Sequence, residues 1–423
     1  MKKILSAVAA LGLVAGVASV ASAADLSVTG KYVVEGVYTE NAGATGFSVS
    51  QDAESDAYWM HTFQMLPTMK VNDNITMKSD IRLRKEARFG TSEDAGNGDA
   101  VDFNKIYMDY TSPVGKIRVG RTPAGAWSTP FLNSATAASR IMWWPKMSGP
   151  VSVLLFTQKS SEADSQEPAN LADHDTDLYH VGVTYKADAG QVDVGYFYNR
   201  VGALSTTGGD AAVDTTITAA ANYKFGNYSV VGELAMVGGE GADSDYATTG
   251  DVVDKDAMGL FLMGSGQFDA LTVSAALVYA SGDVDATDNE NGALMGANGL
   301  GKDFQPLYVF TGDTMGILNG DEKAGVGTTA AAAKYGVKCY AVLADYKVSD
   351  RLTLHGALAM GTADDVAAGS DDDYGMEYDL GVAYKLLDNL TYSAQAGYVT
   401  VGDFFGADAE DITLLTHSLT MKF

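Results

Sequence analysis

Apolar and polar residues alternate over stretches of about ten residues, and this pattern recurs along most of the sequence. In one stretch, apolar side chains stand at every second position from Ile217 to Phe225, with Thr218, Asn222 and Lys224 among the residues between them. Similar stretches occur at 191–199, 352–361, 377–386 and 391–398. Period-two alternation indicates β-strands with one apolar face, and a tilted strand of about ten residues can cross a bilayer. The pattern therefore predicts an all-β chain whose strands can span a membrane.

The connections between these stretches alternate between short and long. The short ones carry the Gly, Asn, Asp and Pro that tight turns favour, and they lie at 71–73, 113–114, 146–149, 188–190, 226–227, 349–350, 388–389 and near 269–270. The long ones lie near 39–56, 90–99, 122–138, 161–176, 201–212, 240–255, 282–335, 363–375 and 402–411. Bacterial outer-membrane barrels have even strand numbers, short periplasmic turns and longer external loops. The sequence thus predicts a transmembrane antiparallel β-barrel of about eighteen strands, or sixteen if the hairpin around 256–280 is misread.

Residues 1–23 have the pattern of an export signal. Two lysines precede an apolar run that ends at Val20, and small residues follow it. The run is short, rich in Ala and Gly, and has no basic flank after it, which argues against a membrane anchor. We expect cleavage after Ala23 and a single barrel domain over residues 24–423.

Charge and cysteine content narrow the function classes. The formal net charge is −26, and it becomes −28 once Lys2 and Lys3 are removed with the signal. This acidic balance argues against nucleic acid as a partner. Cys339 is the only cysteine, so no intrachain disulfide can form. A closed barrel gains stability instead from backbone groups that are paired around the whole ring.

The stretch from Gly115 to Gly149 predicts a strand, a long loop and a second strand. The loop, 122–138, is rich in small residues, and we expect it to fold inward and narrow the bore. The candidate loop and anchor residues are Arg121, Trp127, Phe131, Asn133 and Arg140. The two arginines can bond the loop backbone or contact a solute, because arginine donors serve either role. The aromatic residues, with Trp143 and Trp144, can anchor the loop or form an interface belt, or they can offer a stacking surface to a solute.

Charged residues share one parity in the strand predicted at Ile75–Phe89. A charge at mid-bilayer on the lipid face costs about 2–4 kcal/mol, so this face must line the lumen. Lys116 and Arg118, in the strand that begins at Gly115, extend this charged face. The predicted basic wall consists of Lys78, Arg82, Arg84, Arg88, Lys116 and Arg118. Such a wall attracts anions, unless Asp80, Glu86 and Asp109 balance its charge.

The last strand ends the sequence on an aromatic residue. Leu415, Leu419, Met421 and Phe423 share one face, which His417 interrupts. Such an ending resembles the signature by which outer-membrane barrels are recognised for assembly.

With these residues in view, the chain resembles a Gram-negative trimeric outer-membrane porin, most closely the homotrimeric porins of sulfate-reducing (deltaproteobacterial) bacteria. The resemblance covers the architecture after the signal and is sharpest at 115–121, the following loop, Arg140 and Phe423. It implies a homotrimer in the bacterial outer membrane, surrounded by lipid and lipopolysaccharide, and assembly by the barrel-assembly machinery. It also implies that the third external loop, 122–138, folds into the lumen. That loop contains no Asp or Glu, so the family's acidic constriction loop is not matched.

The loop at 282–335 is unusually apolar, with Phe304, Val309 and Phe310 among its residues. It can enter the lumen as a second constriction or reach over a neighbouring subunit. The acidic loops, such as 283–292, depart from the spacing of a known Ca²⁺ loop, and a solvated acidic surface is the expectation.

The predicted function is passive diffusion of small hydrophilic solutes and ions, with anions favoured by an Arg- and Lys-lined constriction. General porins of the family have sixteen strands and substrate-selective ones often eighteen, so a selective channel is an alternative, as is an export pore for an acidic polysaccharide. A structural barrel or a barrel enzyme would belong to other classes. The five histidines show no metal-binding spacing, and Cys339 has no evident partner base. No catalytic residue, metal or cofactor is predicted.

Overall fold

The computed structural model describes residues 25–41, 55–91, 101–123, 129–132, 137–162, 175–202, 212–242, 252–285, 290–294, 300, 303–318 and 334–423. The predicted signal at 1–23, Trp127 and Asn133 lie outside the described residues, as does the side chain of Arg84.

Eighteen antiparallel strands form one sheet within the described residues, which confirms the predicted fold class and the larger of the two strand counts. They are β1 Asp25–Glu40, β2 Asp56–Lys70, β3 Ile75–Arg88, β4 Asp102–Ser112, β5 Gly115–Pro123, β6 Ala137–Pro145, β7 Val151–Ser161, β8 Thr176–Ala187, β9 Gly190–Val201, β10 Ala212–Phe225, β11 Tyr228–Ala242, β12 Val252–Phe268, β13 Leu271–Ala280, β14 Val337–Lys347, β15 Leu352–Thr362, β16 Asp373–Leu387, β17 Leu390–Val401 and β18 Ile412–Lys422. A two-residue bridge, Glu290–Asn291, lies parallel to β12, and a short 3₁₀ turn spans Asp403–Phe405. No helix among the described residues is long and apolar enough to cross a membrane.

The barrel closes because β1 pairs with both β2 and β18. The β1–β18 ladder runs from Lys31 opposite Lys422 to Glu40 opposite Thr413. Phe423 completes it, since its backbone exchanges hydrogen bonds of 2.9 and 3.1 Å with Gly30. With no free edge, every strand has two partners, which is what a bilayer requires of a sheet.

The outward faces of the strands form an apolar belt. Leu380, Val342 and Met236 are more than half exposed, although they lie well inside their strands. Aromatic residues near the short turns also face outward, among them Tyr185, Phe225, Tyr346, Tyr384 and Tyr392. Aromatic girdles at the interfaces are typical of outer-membrane barrels.

The opposite faces enclose a bore, and a loop packs against part of its inner surface. Residues 303–318, from the loop between β13 and β14, are mostly buried and pack in one apolar cluster with inward residues of β12–β18 and β1. The apolar loop therefore enters the lumen of its own barrel, which settles the alternative left open by its sequence.

Strand β3 departs from strict alternation beyond Arg82. Two irregularities in its pairing with β2 place Arg84 opposite the outward-facing Phe63 and bring Arg88 back opposite Met60. Glu86 has a φ of 51°, a left-handed conformation that accompanies the bulge. The predicted single charged face is therefore interrupted, because each extra residue in a strand reverses the side to which the next side chain points.

Candidate functional site

The basic side chains of β3, β4 and β5 line one side of the bore. Lys78 and Arg82 face inward on β3, where they alternate with outward-facing residues. Lys116 and Arg118 face inward on β5, whereas Val119, the residue after Arg118, is exposed on the outer face. Lys105 of β4 lies between these strands, opposite Asp80 in the ladder. From here on, the basic wall means the five inward basic side chains of these strands, which are Lys78, Arg82, Lys105, Lys116 and Arg118.

Two buried aspartates lie within the basic wall. Arg118 donates two hydrogen bonds to Asp109, of 2.6 and 2.9 Å, and the Lys116 ammonium lies 3.1 Å from the same carboxylate. Asp80 accepts hydrogen bonds from Gln64 and Asn104 at 2.6 and 2.9 Å, and the Arg82 guanidinium lies 3.5 Å away. The aspartates orient the cations and cancel part of their charge. Asp102 stands opposite Arg82 in the ladder and adds a third carboxylate, so five cations against three carboxylates still leave the wall positive.

Aromatic rings support the cations from behind. The Arg118 guanidinium lies 4.3 Å from the ring centre of Tyr107, and the Lys116 ammonium lies 5.2 Å from that of Trp144. Cation–π contacts of this kind hold a long side chain in a fixed position. Trp144 thus faces the lumen, while Trp143 lies on the outward face.

Arg140 also faces the bore, one strand further along on β6. It is 9% exposed, donates to the Gln158 side chain at 2.7 Å and lies 4.1 Å above the Phe156 ring. Phe156 stacks on His180 with ring centres 4.6 Å apart. The structure therefore places Arg140 in an aromatic layer of the wall.

Arg121 and Arg88 lie away from this group. Arg121 pairs with the outward Ile106, is exposed, and donates from Nε to the Asn104 carbonyl at 3.0 Å. Its described hydrogen bond is therefore with β4 on the outer face, and its role at the loop stays a prediction. The sequence held the reason for the outward direction, because Arg121 has the opposite parity to Arg118. Arg88 lies at the external end of β3, 3.6 Å from Asp56 and stacked on Tyr58.

The third external loop enters the bore, as predicted. Its described part includes Phe131, which has no exposed surface, and Thr129. The Thr129 hydroxyl donates to Glu233 of β11 at 2.5 Å, and its backbone N–H donates to the same carboxyl oxygen at 3.3 Å. Glu233 is 1% exposed and faces inward, so it fastens the loop to the wall opposite β3–β5.

A second carboxyl group fastens the loop between β13 and β14. Glu377 of β16 accepts backbone N–H groups from Tyr308, Val309 and Phe310 at 2.9, 2.6 and 2.7 Å. Asp379, two residues along the same inward face, accepts the Tyr308 N–H at 3.1 Å. Both acids are almost fully buried. Successive N–H groups that converge on one acid form a nest for negative charge.

The two inward loops meet each other. The Phe304 ring centre lies 5.5 Å from that of Phe131 and 4.9 Å from that of Phe261 on β12. Asp303, next to Phe304, lies within electrostatic range of Lys105. The second loop thus supplies an acidic residue opposite the basic wall, which the third loop lacks.

Sequence reasoning missed the loop anchors. Glu233, Glu377 and Asp379 each stand at an inward position of a strand whose other inward neighbours are small or apolar. An acid in such surroundings requires a hydrogen-bonding partner, and that signal was available. Within the described part of the chain, no group of three or more His, Cys, Asp or Glu residues is arranged to hold a metal ion.

Comparison with known proteins supports the fold. No protein family model matches this sequence, and no curated protein sequence matches it. Solved structures do resemble it across nearly the whole chain. The chain is similar to OccK9 (OpdG) of Pseudomonas aeruginosa, with a TM-score of 0.58 at 13% identity over 94% of this chain and 99% of that one. OpdQ of the same species gives 0.58 at 10% identity, over 95% and 97% of the two chains.

A further similar structure is a BenF-like porin from Pseudomonas fluorescens Pf-5, with a TM-score of 0.55 at 14% identity over 94% of this chain and 99% of that one. At such low identity the likeness establishes the fold. The chain is an all-β, closed, eighteen-stranded barrel of the kind that spans the bacterial outer membrane.

Proposed function

We propose that this chain is an outer-membrane porin, through which small hydrophilic solutes and ions diffuse passively along the basic wall, and which favours anions. The observation that carries the proposal is the asymmetry of the bore. Two anchored loops pack against inward residues of β11–β18, while Lys78, Arg82 and Lys105 face the bore from β3 and β4. Rings and walls of one charge determine ion selectivity because they raise the local concentration of the opposite ion.

A substrate-selective channel is the second candidate, and the two loops anchored inside the barrel favour it. A bore reduced on one side by two loops, with cations held in place by Tyr107 and Trp144, presents a defined surface to a solute. A non-selective pore would require only a sufficiently wide bore. Uptake of labelled anionic, cationic and neutral solutes of equal size into proteoliposomes distinguishes the two. A selective channel discriminates within the anionic set, and a general porin does so by size alone.

The remaining partners are proposed with the pore. Residues 1–23 direct export and are removed after Ala23. Phe423 is read by the barrel-assembly machinery, three copies form a homotrimer, and the belt contacts lipid and lipopolysaccharide. We assign no catalytic function to the chain, and no cofactor.

Reconstitution in a planar bilayer under a salt gradient tests the function. We expect the conductance to rise in steps that come in groups of three. We also expect a reversal potential whose sign shows that anions permeate more readily than cations. A preference for cations would contradict the role of the basic wall but would remain consistent with a pore. Absence of conductance from barrels that are folded, as shown by resistance to protease in detergent, would overturn the porin proposal.

A further inference from the structure

Charge is distributed unevenly along the barrel axis. The nine external connections contain thirty of the 54 acidic residues and three of the 28 basic ones. Once Lys2 and Lys3 are set aside, the strands and short turns hold 24 acidic and 23 basic residues. The excess of acidic over basic residues therefore belongs almost entirely to the external connections.

Lysines gather at the opposite mouth. Seven strands carry an inward-facing lysine within three residues of their short-turn end or, for β18, of the end of the chain. These are Lys70, Lys116, Lys186, Lys224, Lys347, Lys385 and Lys422. We call this set the periplasmic lysine ring.

The inward direction of the ring follows from the alternation of each strand. Lys186 has the parity of the buried His180, and Lys224 has that of the buried Ala220. Lys385 has the parity of Glu377, and Lys422 has that of Leu414. The residues of opposite parity in these strands are exposed on the outer belt, so the ring faces the bore.

Three members of the ring are paired. Lys70 lies 2.8 Å from Asp73 and Lys347 lies 2.9 Å from Asp350, and these hydrogen bonds hold the pKa of both turn aspartates below the usual value. Lys116 lies 3.1 Å from Asp109.

The other four ring lysines are exposed and have no ion pair among the described residues. They are Lys186, Lys224, Lys385 and Lys422. The other turn aspartates, Asp188, Asp269 and Asp388, lie between strands, and Asp25 of β1 stands opposite Lys70 in the ladder. Four cations without a salt bridge among the described residues therefore remain at the periplasmic mouth, and one of them, Lys385, lies within electrostatic range of Asp350.

We propose that the periplasmic lysine ring is a second selectivity element, which together with the acidic external mouth makes the channel conduct asymmetrically with voltage. This inference rests on the proposed pore function. Cations concentrate at the acidic mouth and anions at the lysine ring. When the external side is positive, each ion is driven in through the mouth where it is concentrated, and the bore fills with carriers. The reverse voltage draws both out through those mouths and depletes the bore.

Current–voltage curves of single insertions test this. At about 0.1 M KCl, where the Debye length is about 10 Å, we expect roughly twofold more current with the external side positive than with the opposite voltage. At about 1 M KCl, where screening acts within about 3 Å, the two currents should be nearly equal. A biotin at Ser370→Cys, on an exposed external residue, reports the orientation through streptavidin added to one chamber. Cys339 is buried and stays unlabelled.

A quadruple variant with Lys186, Lys224, Lys385 and Lys422 each changed to Gln should lose the asymmetry and keep its conductance at high salt. The matched control changes the same four residues to Arg, and because the charge is unchanged it should retain the asymmetry. A symmetric wild-type curve at low salt, an asymmetry that survives the Gln variant, or one that the Arg variant loses would each overturn the ring. If the wild-type protein conducts no current at all, the proposed pore function is refuted instead. Failure of the ring and failure of the pore function are therefore distinguishable.

Discussion

At the scale of the residue, the field inside the bore depends on neighbours as much as on residue type. Arg118 is an arginine in a lumen, but its charge is shared with Asp109 through two short hydrogen bonds and backed by Tyr107. Arg121, three residues later, points to the outer belt. A count of basic residues therefore overstates the charge that a solute meets, and the paired aspartates set the balance.

Asp109→Asn should make the channel more anion-selective. The amide keeps the shape of the side chain but removes its charge, so Lys116 and Arg118 are left uncompensated. We expect a rise of roughly twofold in the anion-to-cation permeability ratio, measured by reversal potential in a salt gradient. Asp269→Asn in the exposed β12–β13 turn, a residue with no ion pair among the described residues, is the control and should leave the ratio unchanged. An unaltered ratio in the Asp109 variant would show that the basic wall does not face the ion path.

At the scale of the element, each inward loop is fastened by an acid from the wall. Both anchors use backbone N–H groups of the loop, so they require only that the loop arrive in the right conformation. A hydrogen bond to a charged group contributes about 1.5–3 kcal/mol, and three such bonds meet at Glu377. The apolar cluster beneath the loop adds burial of Leu307, Met315 and Leu318.

Glu377→Gln should loosen the second loop and widen the passage. The Gln NH₂ group would face backbone donors that now meet a carboxyl oxygen, so at least one hydrogen bond is lost. We expect larger and noisier single-channel conductance, because a loss of about 1.4 kcal/mol already raises the released population tenfold. Asp193→Asn is the control, since Asp193 is buried on the inward face of β9 and accepts its described hydrogen bonds from Thr184 and Gln191 of the wall. Equal conductance in the two variants would mean that the apolar cluster alone holds the loop.

At the scale of the whole molecule, stability depends on closing the ring. The seam joins β18 to β1, where Phe423 bonds Gly30 and its ring stacks 6.0 Å from Phe63. A Cβ at Gly30 would lie 2.4 Å from the Gln64 carbonyl oxygen and 2.6 Å from the Phe423 ring. The seam is thus packed tightly enough to exclude a methyl group.

Gly30→Ala should destabilise the barrel by about 1–3 kcal/mol through overpacking. The matched control is Gly264→Ala on the outward face of β12, where an added Cβ meets nothing within 4 Å. Urea unfolding from liposomes, followed by the shift in electrophoretic mobility of unheated samples, measures both. Equal midpoints would show that the seam relaxes to admit the methyl group.

Sequence alone determined the fold class, the apolar faces of the strands and a strand number of eighteen or sixteen, because alternation and turn chemistry are local properties that do not depend on tertiary contacts. It also placed Lys78, Arg82, Lys116 and Arg118 on inward faces, since charge at mid-bilayer must avoid lipid. It could not foresee the β3 bulges around Arg84, which depend on how β2 and β3 pair.

Only the tertiary structure decided what fills the bore. Phe131 meets Phe261 across more than a hundred residues of chain, and Glu377 meets the backbone at Val309. Such contacts join a loop to whichever wall strands the closed ring brings beneath it, and nothing in the local pattern of either segment names the other. The periodicity of the sequence therefore predicts the barrel, while the shape of its bore depends on contacts that exist only after the ring has closed.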